Sequence, residues 1–119
     1  MDTKHARGRH AEELACRYLE RQGLRLLERN YRCARGEIDL IMQHGEILVF
    51  VEVRYRRSSV FGSGAESVDW RKRQRLTETA LHYMQARKAA ARPARFDVIS
   101  VSPGPDRDNI HWIPNAFHP

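Results

Sequence analysis

Cysteine is nearly absent: the 119 residues hold two, Cys16 and Cys33, without CxxC spacing. That argues against a disulfide framework or a zinc ribbon and for ordinary reduced thiols. The six histidines are scattered, and no two stand four residues apart to share a helical face. A histidine metal site is not expected. No apolar run approaches the roughly 18 residues of a membrane span, so no membrane partner is expected. The opening segment MDTKHARGRH leads into no apolar stretch of the kind that directs secretion, which predicts a cytoplasmic protein. Gly62-Ser63-Gly64 fits neither a nucleophile elbow nor a phosphate-binding loop, leaving it as a hinge. Lysine is also scarce, since all but three of the 21 cations are arginine.

What is present describes one globular unit. Hydrophobic residues make up 41% and charged residues 30%, and the length suits a single domain over 1–119. The net charge of +6 and a pI near 9.9 make nucleic acid the natural partner class, because a basic surface concentrates polyanions. A GC-rich genome would produce the same arginine excess, so charge alone leaves the partner open.

Along the chain, Ala11, Leu14, Ala15, Tyr18 and Leu19 recur at three- and four-residue steps, predicting a helix over about 4–22 that Gly23 ends. Residues 24–33 read as a strand, with Leu24, Leu26 and Glu28 on one side. Residues 36–55 read as two strands joined at His44-Gly45, the second apolar on both faces except for Glu52 and Arg54. Residues 58–64 read as a loop. A second helix follows from Ser67 or Asp69 to Arg87, with Leu76, Ala80, Tyr83 and Met84 on one side. Pro93 closes that segment, and strands are expected over 95–101 and 110–114 around a turn at 102–109. The order α-β-β-β-α-β-β predicts an α/β fold with one sheet flanked by helices.

With His44-Gly45 as a two-residue loop, Asp39 faces Phe50 and Glu37 faces Glu52. Period-two alternation puts Glu37, Asp39, Glu52 and Arg54 on one face, with Asp39 and Glu52 diagonal at roughly 7–8 Å. Three acids there would repel one another and lose hydration. A shared Mg²⁺ or Mn²⁺ relieves that cost, and a water it retains can attack phosphorus. The competing explanation is an ion pair of Glu52 or Glu37 with Arg54. Glu12 lies at the edge of the first helix's apolar stripe, within reach of such a metal, while Glu13 points away from the stripe.

These residues resemble the PD-(D/E)xK nuclease pattern: Asp39, twelve intervening residues, then Glu52-Val53-Arg54. Residues 36–42, 49–57 and 95–98 are similar to the bacterial YraN-like family. Ala11-Glu12, Ala15, Tyr18-Leu19, Lys72, Trp112 and Ala116-Phe117 extend the resemblance over nearly the whole chain. It implies a restriction-endonuclease-like fold, a mixed sheet flanked by helices, related to Holliday-junction resolvases. It also implies a site of Glu12, Asp39, Glu52 and the residue at 54, with Asp39, Glu52 and Glu12 toward the metal. The partner it implies is DNA in preference to RNA, and the resolvase-like relatives imply a homodimer. Arg54 departs from the pattern, which has lysine. Arginine stays protonated and cannot act as a general base, yet it can stabilise charge on phosphorus.

Around the acids, Arg54, Arg56 and Arg57 close one strand, and Arg71, Lys72 and Arg75 open the second helix. Such cations position a phosphate backbone without reading sequence, and Phe61 or Trp70 can stack on a base or pack internally. The expectation is a metal-dependent endonuclease for structured or branched DNA. The alternatives are a non-catalytic nucleic-acid-binding module and a protein-interaction component.

Overall fold

A computed structural model describes residues 3–56, 69–104 and 108–117, with the side chains of 3–7 outside the description. Its elements are helix α1 (Thr3–Arg21), strands β1 (Arg25–Cys33), β2 (Gly36–His44) and β3 (Ile47–Tyr55), helix α2 (Trp70–Ala86), and strands β4 (Ala94–Ser102) and β5 (Asn109–Phe117). The order matches the pattern in the sequence. The loop expected at 58–64, with Phe61, lies outside the described residues.

The five strands form one sheet in the order β1-β2-β3-β4-β5. All neighbours are antiparallel except β3 and β4, which run parallel and are joined through α2. The sheet separates two cores. On one face Ala15, Cys16 and Leu19 of α1 cover Leu40, Met42, Val49, Val51 and Ile99. On the other, Leu76, Ala80, Tyr83 and Met84 of α2 cover Ile41, Phe50, Phe96 and Val98. Both helical stripes are those that the three- and four-residue spacing marks out. Rings of Tyr83, Phe50, Phe96 and Phe117 form a chain with centroids 4.8–5.9 Å apart, each pair adding about 1 kcal/mol beyond its buried area.

Three local expectations are corrected. The β2–β3 hairpin turns at Gly45-Glu46, not His44-Gly45, because Gly45 takes the positive φ of 63° and His44 pairs with Ile47. The register therefore shifts by two, putting Ile41 rather than Asp39 opposite Phe50. A shift of two by itself keeps each side chain's face. Alternation in β2 nevertheless breaks beside Asp39: Ile38 joins Ile41 and Phe50 in the α2-side core, while Leu40 faces α1. Alternation therefore does not place Glu37 with Asp39 as expected. Second, Glu28 does not share a side with Leu26. A register shift between them turns Glu28 to the α2 face, where it meets Arg87 at 3.0 Å. Third, β5 continues through Pro114 to Phe117. It lies at the sheet edge, where proline's missing N–H costs no ladder bond on the open side.

Asp97 of β4 is fully buried. Its carboxylate accepts from Trp112 Nε1 at 2.9 Å, Asn115 N at 2.9 Å and Arg95 Nε at 3.1 Å. It ties β5 onto β4 where their register shifts between Phe96 and Val98. Cutting the carboxylate away leaves Arg95 and two N–H donors without their acceptor. Asp97→Ala should lose about 3 kcal/mol in denaturant unfolding, with a markedly smaller loss for Asp97→Asn.

Candidate active site

The sheet is forked at one end. Pairing of β2 with β3 runs from His44↔Ile47 to Leu40↔Val51 and stops there. Beyond that point β2 stays with β1 down to Cys33↔Gly36, while β3 stays with β4 out to Tyr55↔Val101. Asp39 and Glu52 are the next residues on the two sides of the split. Asp39 bridges it: its Oδ2 accepts the Val53 N–H at 2.8 Å, a donor that an unbroken ladder would give to a β2 carbonyl. At the β1–β2 tip, Gly36 comes so close to α2 that a Cβ would lie 3.2 Å from Thr79 Oγ1. Any larger residue would press the tip away from α2.

The fork opens into a cleft of about 230 Å³ lined by Gly36, Glu37, Asp39, Glu52, Lys72, Arg75 and Leu76. Glu52 is 6% exposed, deep for a carboxylate. Its Oε1 receives Lys72 Nζ at 2.5 Å and Arg54 Nε at 3.5 Å. Asp39 has a single hydrogen-bond donor among the described residues, the Val53 amide. Burial and then the charge of Glu52 push its carboxyl up from 3.8 to about 8, against the opposing pull of that amide. Glu12 and Glu37 add smaller effects in the same direction.

Glu12 joins the cluster indirectly. Its Oε1 accepts from Asn30 Nδ2 at 2.8 Å, and the same amide reaches Glu37 Oε1 at 3.2 Å. Asn30 adopts a left-handed backbone with φ 49°, which its short polar side chain tolerates. Glu13 stays apart, paired with Arg17 at 3.0 Å and Arg29 at 2.8 Å on the surface.

Sequence reasoning thus locates Glu12, Asp39, Glu52 and Arg54 in one neighbourhood. Lys72, expected to meet a phosphate, contacts Glu52 here. Sequence reasoning overlooks Asn30 altogether, which no spacing rule marks. The signal for Lys72 is modest: one of three lysines in an arginine-rich chain stands three residues after Asp69, the residue whose carboxylate caps α2. Arg71 and Arg75 lie exposed along the start of α2, and Arg56 is half-buried at the end of β3. Arg57 and the hinge expected at Gly62-Ser63-Gly64 lie outside the described residues.

Asp39 and Glu52 offer oxygen donors without sulfur or imidazole, a set suited to a hard cation that keeps most of its waters. Among the described residues no three His, Cys, Asp or Glu side chains converge to enclose an ion, so protein ligands alone would leave most of its coordination to water or phosphate. A larger hollow of about 720 Å³ lies between α1 and β5, where His10 Nε2 meets Asp108 Oδ2 at 3.3 Å. It lacks the buried acid pair of the fork.

The chain is a mixed α/β protein with a five-stranded sheet and two helices, and it belongs to the UPF0102 family. The uncharacterised protein family UPF0102, the YraN-like family, matches residues 11–101. A UPF0102 protein of Nitrosococcus oceani is 48% identical over 116 residues, covering 97% of this chain and 94% of its own. One from Stutzerimonas stutzeri is 49% identical over 119 residues, covering 98% of each. One from Pseudomonas aeruginosa is 50% identical over 119 residues, covering 98% of this chain and 95% of its own. Among the described residues no helix is long and apolar enough to cross a membrane.

The raised pKa of Asp39 fixes a pH dependence. An acid whose folded pKa exceeds its unfolded value binds more protons when folded, so its stabilisation is present below the unfolded pKa and is lost as pH rises through the folded one. For Asp39 that window runs from 3.8 to about 8. In chelator, the melting temperature of Asp39→Asn should gain on wild type as pH rises from 5 to 8. A difference independent of pH would contradict the assignment.

Proposed function

We propose that this chain is a Mg²⁺- or Mn²⁺-dependent endonuclease that hydrolyses phosphodiester bonds in structured or branched DNA. In this reading it has a restriction-endonuclease-like fold and belongs to the PD-(D/E)xK superfamily. The carrying observation is the pair Asp39 and Glu52 at the sheet fork, where burial and mutual repulsion push the Asp39 carboxyl to about 8. A structural acid gains nothing from such a place, whereas a cation-binding acid does.

Asp39 and Glu52 would hold the metal, and Glu12 would orient waters around it through the contact with Asn30. When bound, the ion supplies Lewis-acid charge and a water of lowered pKa. Arg54 remains charged at every relevant pH and stabilises the developing charge on phosphorus. Arg56, Arg57, Arg71, Lys72 and Arg75 take the flanking phosphates. Trp70 opens α2 with 72% of its surface exposed, two residues before Lys72. An exposed stacking face at the start of the helix that supplies Lys72 and Arg75 suits substrates with unpaired bases, as branched DNA has. Cytoplasmic action fits a DNA substrate, and the resemblance to resolvases supports a homodimer, which sedimentation of the purified chain tests.

A second reading is a nucleic-acid-binding module without turnover. Arg54 in place of lysine and Lys72 covering Glu52 favour it.

Incubation with a labelled four-way junction and Mn²⁺ separates the two readings. Wild type should produce nicked product, and Asp39→Ala should lose at least about 100-fold in rate while keeping its circular dichroism. Salt-sensitive binding with no metal-dependent product would establish the non-catalytic module instead. Trp70→Ala should weaken forked-DNA binding about tenfold and leave a blunt duplex nearly unaffected, measured by fluorescence anisotropy. Equal losses on both substrates would remove Trp70 from substrate choice.

A further inference from the structure

We propose that Lys72 is the resident counter-ion of Glu52, competing with a divalent cation for that carboxylate and turning to the substrate phosphate once the cation binds. The inference rests on the metal-site reading of Asp39 and Glu52.

Two cations share one oxygen in this structure. Glu52 Oε1 has Lys72 Nζ at 2.5 Å and Arg54 Nε at 3.5 Å. They reach it by different routes. Arg54 stands two residues along the same strand, so its base is fixed relative to Glu52. Lys72 comes from α2 on a four-carbon stem whose root is held firmly, since the Asp69 cap accepts the Lys72 N–H at 2.9 Å. Farther along α2, buried Leu76 and Thr79 anchor the helix beside Gly36. The ammonium can therefore swing while its root stays in place, and with the side chain 32% exposed it has an open path into the cleft.

Charge makes the contact exclusive. An ammonium at hydrogen-bond distance from a carboxylate oxygen occupies the place a divalent ion would take, and the two cations repel even in water. Lys72 therefore balances the charge of buried Glu52 while the site waits for its ion, a task that Val53 N–H on Asp39 cannot perform. Binding of the ion to the acid pair pushes Lys72 off. Its Nζ then remains tethered at the start of α2 between Arg71 and Arg75, where a phosphate attracted to the cleft would meet it. Loading with metal and presenting a phosphate clamp become one event.

Calorimetric titration with Mn²⁺ tests this without any reading of cleavage. It would be run on full-length wild type, Lys72→Gln and Lys72→Arg, each checked by circular dichroism. Lys72→Gln removes the competitor and should bind Mn²⁺ about tenfold more tightly than wild type. Lys72→Arg offers a planar fork that grips the carboxylate in a bidentate manner and should bind Mn²⁺ several-fold more weakly. Should Lys72→Gln fail to fold, the Arg variant decides alone, and unchanged affinity there overturns the proposal. Equal affinity in wild type and folded Lys72→Gln also overturns it, while leaving the metal site standing. No Mn²⁺ binding in any folded variant, Lys72→Gln included, overturns the metal reading itself and this inference with it.

Discussion

The hydrogen bond from Val53 N–H to Asp39 Oδ2, 2.8 Å long, is the contact on which the site's geometry depends. Pairing between β2 and β3 ends at Leu40↔Val51, and a split sheet exposes backbone donors that must be satisfied. Asp39 answers one of them with a side chain instead of a carbonyl. The substitution places a carboxylate inside the fork, next to Glu52, where no helix or loop needs to deliver it. The β1–β2 tip can then lean toward α2, as the close approach of Gly36 to Thr79 records. That lean brings Arg75, Leu76 and Lys72 to the cleft. The acid pair, its cations and the opening follow from one interrupted ladder.

Two buried aspartates in the same sheet show how burial alone fails to mark function. Asp97 is wholly buried and surrounded by Arg95, Trp112 Nε1 and the Asn115 amide, so its charge is answered and its task is to fasten β5. Asp39 has one amide among the described residues and a second acid for a neighbour. The donors around Asp97 satisfy its oxygens, whereas burial beside Glu52 raises the cost of ionising Asp39. Only the second leaves electrostatic free energy for an arriving cation to recover. Trp112 and the Arg95-Phe-Asp-Val98 segment accordingly belong to the scaffold, although in sequence they look as distinctive as the hairpin.

Part of this was legible in the residues because alternation holds along β3, although it breaks in β2 between Ile38 and Leu40. Moving the hairpin turn from His44-Gly45 to Gly45-Glu46 changes every facing pair, yet a shift of two leaves Asp39, Glu52 and Arg54 on the same side. The helical stripes were legible for a similar reason, since Ala15, Leu19, Leu76, Ala80 and Tyr83 fall at the core by periodicity alone. What escaped were features set by contact across the chain. The bulge that turns Glu28 away from Leu26 has no glycine or proline to announce it. Asn30 bridges Glu12 and Glu37 from a left-handed backbone that its sequence neighbours do not suggest. Lys72 meets Glu52 only because α2 crosses the fork, twenty residues beyond it in the chain.

The cations divide along the same line between strand and helix. Arg54 is fixed to the element that carries Glu52 and keeps its charge at any pH, so it can supply a constant field but cannot withdraw from the carboxylate's neighbourhood. Lys72 is anchored on a separate element and is joined to Glu52 by a flexible stem, so its contact can break without moving the backbone. In the proposed metal-binding reading, the site uses both kinds. An arginine alone would leave buried Glu52 with a partner at 3.5 Å, too long for a strong charged hydrogen bond. A lysine alone would leave no fixed positive charge once it had moved. In the proposed nuclease reading, Arg54 where the resembling pattern has lysine is compatible with activity, because a lysine reaches the same carboxylate from α2.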